Sequence, residues 1–432
     1  MKLSIAASLL LIAASSCYAV PMVTPPTFTD GNLAPLFTSP EAEVVSDSYI
    51  VVLKNHLNQE KLETHTSWVR DLTGANDEGI FDAWLHPNSI GIKHVYDMPG
   101  LSGYAGKFGR DVVDLLRRSE DVAFIERDSM AYTSELQRSA PWGLARVSHR
   151  NGLTLETFNK YEYEADGGEG INVYVIDTGV NVGHVDLEDR AIWGKTIPKG
   201  DDDEDGNGHG SHCAGTIAGK RFGVAKKANV TAVKVLRSNG SGTMADVIAG
   251  VDWATEQHNK AATAAKKAGK TFKGSVANMS LGGGKVTALD LAVNGAVDAG
   301  IVFAVAAGND NSDACNYSPA HAENAITVGA STLYDERAYF SNYGPCVDVF
   351  APGLNIQSIW RGSKYATNTI SGTSMASPHV AGLAAYFLSF EEEGASPDVI
   401  KKKILDLSTK DKLTKIPKDT PNLLIYNGID KQ

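Results

Sequence analysis

Three short stretches bring an acid, an imidazole and a hydroxyl onto one chain. They are Val175-Ile176-Asp177-Thr178-Gly179, Gly206-Asn207-Gly208-His209-Gly210 and Gly372-Thr373-Ser374-Met375-Ala376. A serine hydroxyl is a weak nucleophile until a histidine takes its proton, and the histidine serves only when a carboxylate holds it in the right tautomer. Residues of these types can therefore cleave an acyl bond through a covalent serine intermediate. Glycines flank His209 and would let another backbone come close. A second chemistry is open at the same place. His209, His212 and Cys213 offer imidazole and thiolate groups of the kind zinc prefers. That reading lacks a fourth ligand, and the consecutive residues 212 and 213 cannot readily face one ion. His212 is accordingly read as structural.

The elements that must carry these groups follow from the pattern around them. From Gly170 onward, short apolar runs rich in β-branched residues occupy 171–176, 231–235, 276–279, 302–305 and 326–328. Helical stretches over 245–268 and 287–300 alternate with them, which predicts buried parallel strands covered by helices on both faces. In such sheets ligands sit at the carboxyl ends of the strands, where Asp177 and, a little further on, Asn309 fall. His209 opens onto a helix over 211–218. Ser374 precedes another helix, with Pro378 expected in its first turn, where N–H groups lack helical partners in any case. A serine at a helix N-terminus has N–H groups and a dipole beside it that stabilise negative charge.

Upstream lies a smaller pattern. Strands are predicted at 49–54, 90–96, 101–108 and 122–126, and helices at 59–72 and 111–118, with a turn at Met98-Pro99-Gly100. The β-α-β-β-α-β order is ferredoxin-like. Residues 1–19 read as a signal peptide: Lys2, an apolar run from Leu3 to Ala14, then Cys17-Tyr18-Ala19. The apolar run is shorter than the roughly 20 residues a membrane span needs. Residues 20–46 are rich in Pro, Thr and acidic residues without periodicity and read as a disordered spacer. The expected division is 1–19, 20–46, a small domain 47–134 and a large domain 135–432.

The 432 residues are too many for one ordinary core. Acidic residues outnumber basic ones 51 to 40, a formal net charge of -11, which argues against a nucleic-acid partner. Nothing in the composition implies an organic cofactor or a membrane partner.

From about Ala140 to Tyr426 the chain resembles the proteinase K and cerevisin group of subtilisin-like serine proteases. The resemblance rests on GNGHGSHCAGT (206–216), VANMSLGGG (276–284), VFAVAAGN (302–309), NYSPA (316–320), YFSNYG (339–344) and SGTSMASPHVAGLAAY (371–386). The order acid, histidine, serine is that of subtilisin itself. The resemblance implies an α/β, subtilisin-like three-layer fold with a mainly parallel central sheet, preceded by an α+β ferredoxin-like inhibitory propeptide. It implies that Ser374 is the nucleophile, His209 the general base and later acid, and Asp177 the orienting acid, with Asn309 donating to the oxyanion. Two edges, Asn239-Gly240-Ser241-Gly242 and Ser280-Leu281-Gly282-Gly283, would sandwich a peptide as an added strand. A primary pocket lined by 281–282 and by Ala306, Ala307 and Gly308 carries no charge, so apolar or aromatic side chains should fit. The propeptide tail would run over 128–134, with self-cleavage between Tyr132 and Arg138.

The same resemblance implies a structural calcium ion held by the main-chain carbonyls of Glu323 and Ala325 and the carboxylate of Asp348, since oxygen ligands suit a hard ion. Loss of the signal peptide removes one of four cysteines. Cys213, on a helix expected to be buried, is the candidate free thiol, and Cys315 and Cys346 the candidate disulfide. Some bacterial relatives carry cysteines at the two matching positions. The run Asp201-Asp202-Asp203-Glu204-Asp205 starts like an EF-hand loop, but the position expected to be glutamate is His212, so the motif fails. It reads as a solvated loop, or alternatively as a feature that favours basic substrate residues and raises the pKa of His209. Of the sequons at Asn229, Asn239, Asn278 and Asn316, only the first and last suit a glycan. The chain is thus read as a monomeric endopeptidase zymogen acting on polypeptides, secreted or, alternatively, vacuolar. The competing class is a binding protein that has kept the fold and lost catalysis.

Overall fold

The computed structural model describes residues 33–38, 44–54, 59–74, 90–98, 100–129 and 134–429. The expected signal peptide, most of the spacer and residues 130–133 of the processing region lie outside the described residues. The chain forms two compact units, Met1–Tyr132 and Thr133–Gln432.

In the first unit the strands run in the order Leu36–Phe37, Val122–Ser129, Val44–Leu53, Leu101–Lys107, Gly91–Met98. The last four, with the helices Gln59–Thr73 and Arg110–Arg118, make the expected ferredoxin-like arrangement. Met98 pairs directly with Leu101, and Gly100 takes a positive φ of 91°, a conformation that favours glycine. Both helices bury Leu62, Val69, Val113 and Leu116 together with Val51, Leu53, Tyr104 and Ile125 of the sheet. Full burial of each such side chain is worth about 1.5–3 kcal/mol.

The spacer reading fails at its C-terminal side. Leu36–Phe37 forms a parallel strand on Ile125 and Glu126, and the next strand starts at Val44. Proline does not prevent this, because Pro35 contributes only its carbonyl, which accepts from Ile125 N at 2.9 Å. Arg117 clamps the segment, its Nε donating to Ala34 O at 2.9 Å.

The second unit is built on a nine-stranded sheet. Its order is Thr409–Lys410, Leu423–Leu424, Val349–Pro352, Ile326–Ser331, Ile301–Ala306, Ser275–Met279, Asn172–Asp177, Asn229–Lys234, Ala191–Thr196, parallel except for the first pair. Alternate residues feed two cores. Val173, Val175, Val302 and Ala304 pack on the face covered by the helices His209–Ala218 and Thr373–Phe390. Tyr174, Ile176, Phe303 and Val305 face Met244–Lys267 and Thr287–Asp298. The result is the three-layer arrangement the alternation predicts. Helix Thr373–Phe390 is buried on nearly every side, so it is apolar all round rather than striped.

Candidate active site

The strand Asn172–Asp177 sits where the sheet order reverses. The chain passes from it to two strands on one side, then crosses to Ser275–Met279 on the other. A crevice opens at the carboxyl end of such a strand, and Asp177 stands there, fully buried. Opposite it, His209 is the first residue of its helix, and its Nδ1 lies 2.8 and 3.0 Å from the two carboxylate oxygens of Asp177. Gly210 makes this approach possible, since a Cβ there would stand 2.1 Å from Gly179 O. Burial pulls the pKa of His209 down. The charge and hydrogen bond of Asp177, with a smaller contribution from Asp205, outweigh that and leave the net shift upward.

The acidic run is only in part a solvated loop. Asp202 and Glu204 are exposed, but Asp205 is buried. Its Oδ1 accepts from Thr178 Oγ1 (2.8 Å), Gly208 N (2.8 Å) and Asn207 N (3.1 Å). Its Oδ2 accepts from Ser211 N (2.9 Å) and Ser211 Oγ (2.6 Å). Asp205 therefore holds the turn that presents His209 against the strand end that presents Asp177. Asp201 is tied down as well, accepting from Ser238 N and Oγ at 2.9 and 3.0 Å.

Ser374 is the second residue of helix Thr373–Phe390. Pro378 stands beyond the first turn, contrary to the expectation, so a helical bond is lost: the one that would end on Ser374 O. That carbonyl accepts instead from Ser280 Oγ at 2.8 Å and from the Cys213 thiol at 3.4 Å. Asn278 Nδ2 donates to Ser280 Oγ (2.9 Å), and Ser377 Oγ donates to Asn278 Oδ1 (2.8 Å). The gap left by the proline is thus filled by groups at the end of the Ser275–Met279 strand. The Ser374 hydroxyl donates to Ser280 O at 3.1 Å.

Asn309 is oriented from the same helix. Its Oδ1 accepts from Thr373 N (2.8 Å) and Thr373 Oγ1 (3.0 Å), which turns Nδ2 away from them as a donor. Thr373 Oγ1 also accepts from Gly308 N at 3.1 Å. Ala306 is the buried end of its strand, and Gly308 follows it into this network.

A cleft of about 360 Å³ runs past His209. Its lining includes Gly240, Ser241 and Gly242, then Ser280, Leu281 and Gly282, together with Leu236, Met244 and Val247. Two expected substrate residues are used otherwise. Asn239 turns its Oδ1 back onto Ser241 N and Oγ, at 3.0 and 2.8 Å, and closes a turn. Gly283 pairs with Ser318 in a short antiparallel ribbon, so its main chain is already engaged.

His212 is structural: its Nε2 bonds Ile356 O at 2.9 Å, and burial takes its pKa to about 3. Cys213 is buried outside any disulfide, and Cys315 and Cys346 are bonded to each other. Asp177, His209 and Cys213 approach as closely as metal ligands do, but the acid and imidazole are already paired with each other. The calcium expectation does not fit. Glu323 O, Ala325 O and Asp348 do converge, but on the ammonium of Lys401, at 3.1, 2.7 and 3.0 Å.

The positioning roles of Asp205 and Thr373 and the place of Lys401 were missed by the sequence reading, although the alternative reading of the acidic run, that it raises the pKa of His209, agrees with the contribution of Asp205. Asp205 and Thr373 adjoin recognised motifs, and their side chains act on the backbone that follows them. Lys401 carries no comparable signal, because it stands in a run of three lysines.

A carboxylate-bound histidine, an exposed cleft and a serine at the start of a buried helix, at the strand ends of an α/β sheet, define a serine hydrolase. The chain belongs to the subtilase family, whose model matches residues 168–420, and a peptidase inhibitor I9 model matches 48–134. It is a subtilisin-like serine protease, a peptide hydrolase with an N-terminal inhibitor propeptide. Among its relatives is the subtilisin-like serine protease Pen c 2 of Penicillium citrinum, 59% identical over 91% of both chains. Alkaline protease 2 of Aspergillus fumigatus is 58% identical over 91% of this chain and 84% of its own. A crystal structure of a cold-adapted subtilisin-like serine proteinase matches with a TM-score of 0.61 and 44% identity, covering 68% of this chain and all of that one.

Proposed function

We propose that the protein is a self-processing serine endopeptidase in which Ser374, His209 and Asp177 act as nucleophile, base and orienting acid. The observation that carries this reading is the pair of contacts from His209 Nδ1 to Asp177, made beside the cleft. They hold the proton on Nδ1 and leave Nε2 as acceptor. Catalysis begins when the Ser374 hydroxyl leaves Ser280 O and turns to Nε2. Its oxygen then adds to the substrate carbonyl while His209 takes the proton. Negative charge develops at the start of helix Thr373–Phe390, where Ser374 N–H and Asn309 Nδ2 donate to it. His209 returns the proton to the leaving amine, and water repeats the sequence to release the acyl group.

The substrate adds as a strand between 240–242 and 280–282, as main-chain recognition of extended peptides requires. Leu236, Met244, Val247 and Leu281 give the cleft an apolar part, which supports a broad preference for apolar and aromatic side chains. Among the described residues no helix is long and apolar enough to cross a membrane. The signal-like residues 1–19 support export, to the exterior or a vacuole.

The test is expression of the full chain beside Ser374→Ala, followed by intact mass. Separation of the wild type alone into fragments meeting near residues 130–138 is expected. If both stay joined while folded, the competing reading, a binding protein that has kept the fold and lost catalysis, moves ahead.

A further inference from the structure

Helix Pro397–Leu407 carries three consecutive lysines that go to different places. Lys402 pairs with Asp406, and Lys403 reaches Glu391 at 2.9 Å. Lys401 turns inward, to the donor set where the family resemblance had placed calcium. An ammonium has three N–H donors and no acceptor. Here it meets three acceptor groups: Glu323 O at 3.1 Å, Ala325 O at 2.7 Å and the Asp348 carboxylate at 3.0 and 3.1 Å. The match of donors to acceptors is complete. Calcium would want about 6–8 oxygens at about 2.3–2.6 Å. Two carbonyls and a carboxylate could be completed to that number by water only if the ammonium left, and it already lies among them.

We propose that Lys401 is a built-in cation replacing calcium, so that this part of the protease is held without a metal ion. The lysine ties the C-terminal helix to the segment before the Ile326–Ser331 strand. Asp348 Oδ2 also accepts from Thr327 N at 2.8 Å, and Val328 O accepts from Ala307 N at 3.0 Å. The contact therefore supports the strand to which Ala307, two residues before Asn309, is bonded. A tethered cation is present at any external calcium level, which a dissociable ion is not.

The experiment uses the full chain in a Ser374→Ala background, so that autolysis does not obscure unfolding. Thermal unfolding and calcium binding by equilibrium dialysis are measured with chelator and with millimolar calcium, for the parent, Lys401→Met, Asp348→Asn and the double variant. The parent is expected to keep its Tm when calcium is removed. Lys401→Met keeps the length of the chain but strands a carboxylate, and should lower Tm by about 4 °C or more. Calcium should restore much of that loss, and Asp348→Asn should abolish the restoration. A chelator-induced fall in the parent that disappears in Asp348→Asn would show that calcium displaces the lysine and would overturn the proposal. So would a Lys401→Met protein as stable as the parent.

Discussion

Replacing Asp205 by asparagine separates the work of its charge from that of its shape. The amide oxygen can still accept from Thr178 Oγ1, Asn207 N and Gly208 N, but the amide nitrogen now faces Ser211 N, which had bonded the carboxylate at 2.9 Å. Ser211 Oγ, which already accepts from Asn181 N, can accept from the new NH₂ only by turning its own proton away, so the losses are one backbone donor, one hydroxyl donor and the strength of bonds to a charged acceptor. Such losses amount to ~3 kcal/mol. For a unit of this size that lowers Tm by about 5 °C. Asp205 also contributes to the upward shift of the His209 pKa, so its loss should move the acid limb of kcat/KM to lower pH. The alkaline plateau should fall by no more than about tenfold, or ~1.4 kcal/mol, because Asp177 still holds the imidazole. Ser211→Ala is the companion: it removes a hydroxyl bond to the same carboxylate but keeps the charge, so Tm falls while the limb stays. Scanning calorimetry and a pH–rate profile on a chromogenic peptide measure both. An Asp205→Asn enzyme with unchanged Tm and an unmoved limb would refute the role assigned to Asp205.

Thr373→Val should lower kcat with little change in KM, because it keeps the N–H that orients Asn309 but loses the hydroxyl between Asn309 and Gly308. The fall should be smaller than the about 10²–10³ found when subtilisin loses its own oxyanion asparagine; equal kcat values would remove Thr373 from the positioning network. Acid should destabilise the large unit, since burial lowers the pKa of His212 to about 3 and of His379 to about 4. A base depressed on folding takes up its proton on unfolding, so stability is full above the ordinary value of 6.5 and falls as pH drops below it, by about 2 kcal/mol per histidine at pH 5. His379→Gln should flatten the fall of Tm between pH 6.5 and 4; an unaltered slope would count against burial as its cause.

The residues proposed to do the chemistry stood out in the sequence because their types are restricted and their neighbours are small. The strands were legible because both faces of the sheet are covered, leaving uninterrupted apolar runs at Asn172–Asp177 and Ile301–Ala306. The residues that hold the site were not. Asp205 lies in a run of five acidic residues, and nothing in the order of that run separates the buried one from its exposed neighbours Asp202, Asp203 and Glu204. Lys401 meets its partners at sequence separations of 53 to 78, and no local pattern reports such a contact. Gly283 was read as an open edge because its pairing partner, Ser318, lies 35 positions away.

Pro378 shows how a local rule can fail and still lead to the site. A proline in the second turn costs a helix about 3 kcal/mol when nothing replaces the missing bond. Here the orphaned carbonyl belongs to Ser374, and the replacements come from Ser280 and Cys213, on two other elements. The start of the helix is thereby fastened to the end of the Ser275–Met279 strand and to the His209 helix, not only to its own next turn. A serine that must meet an imidazole on one element and a substrate laid along another gains from being held by both. The departure from helical regularity therefore falls at the residue whose position the proposed chemistry constrains most.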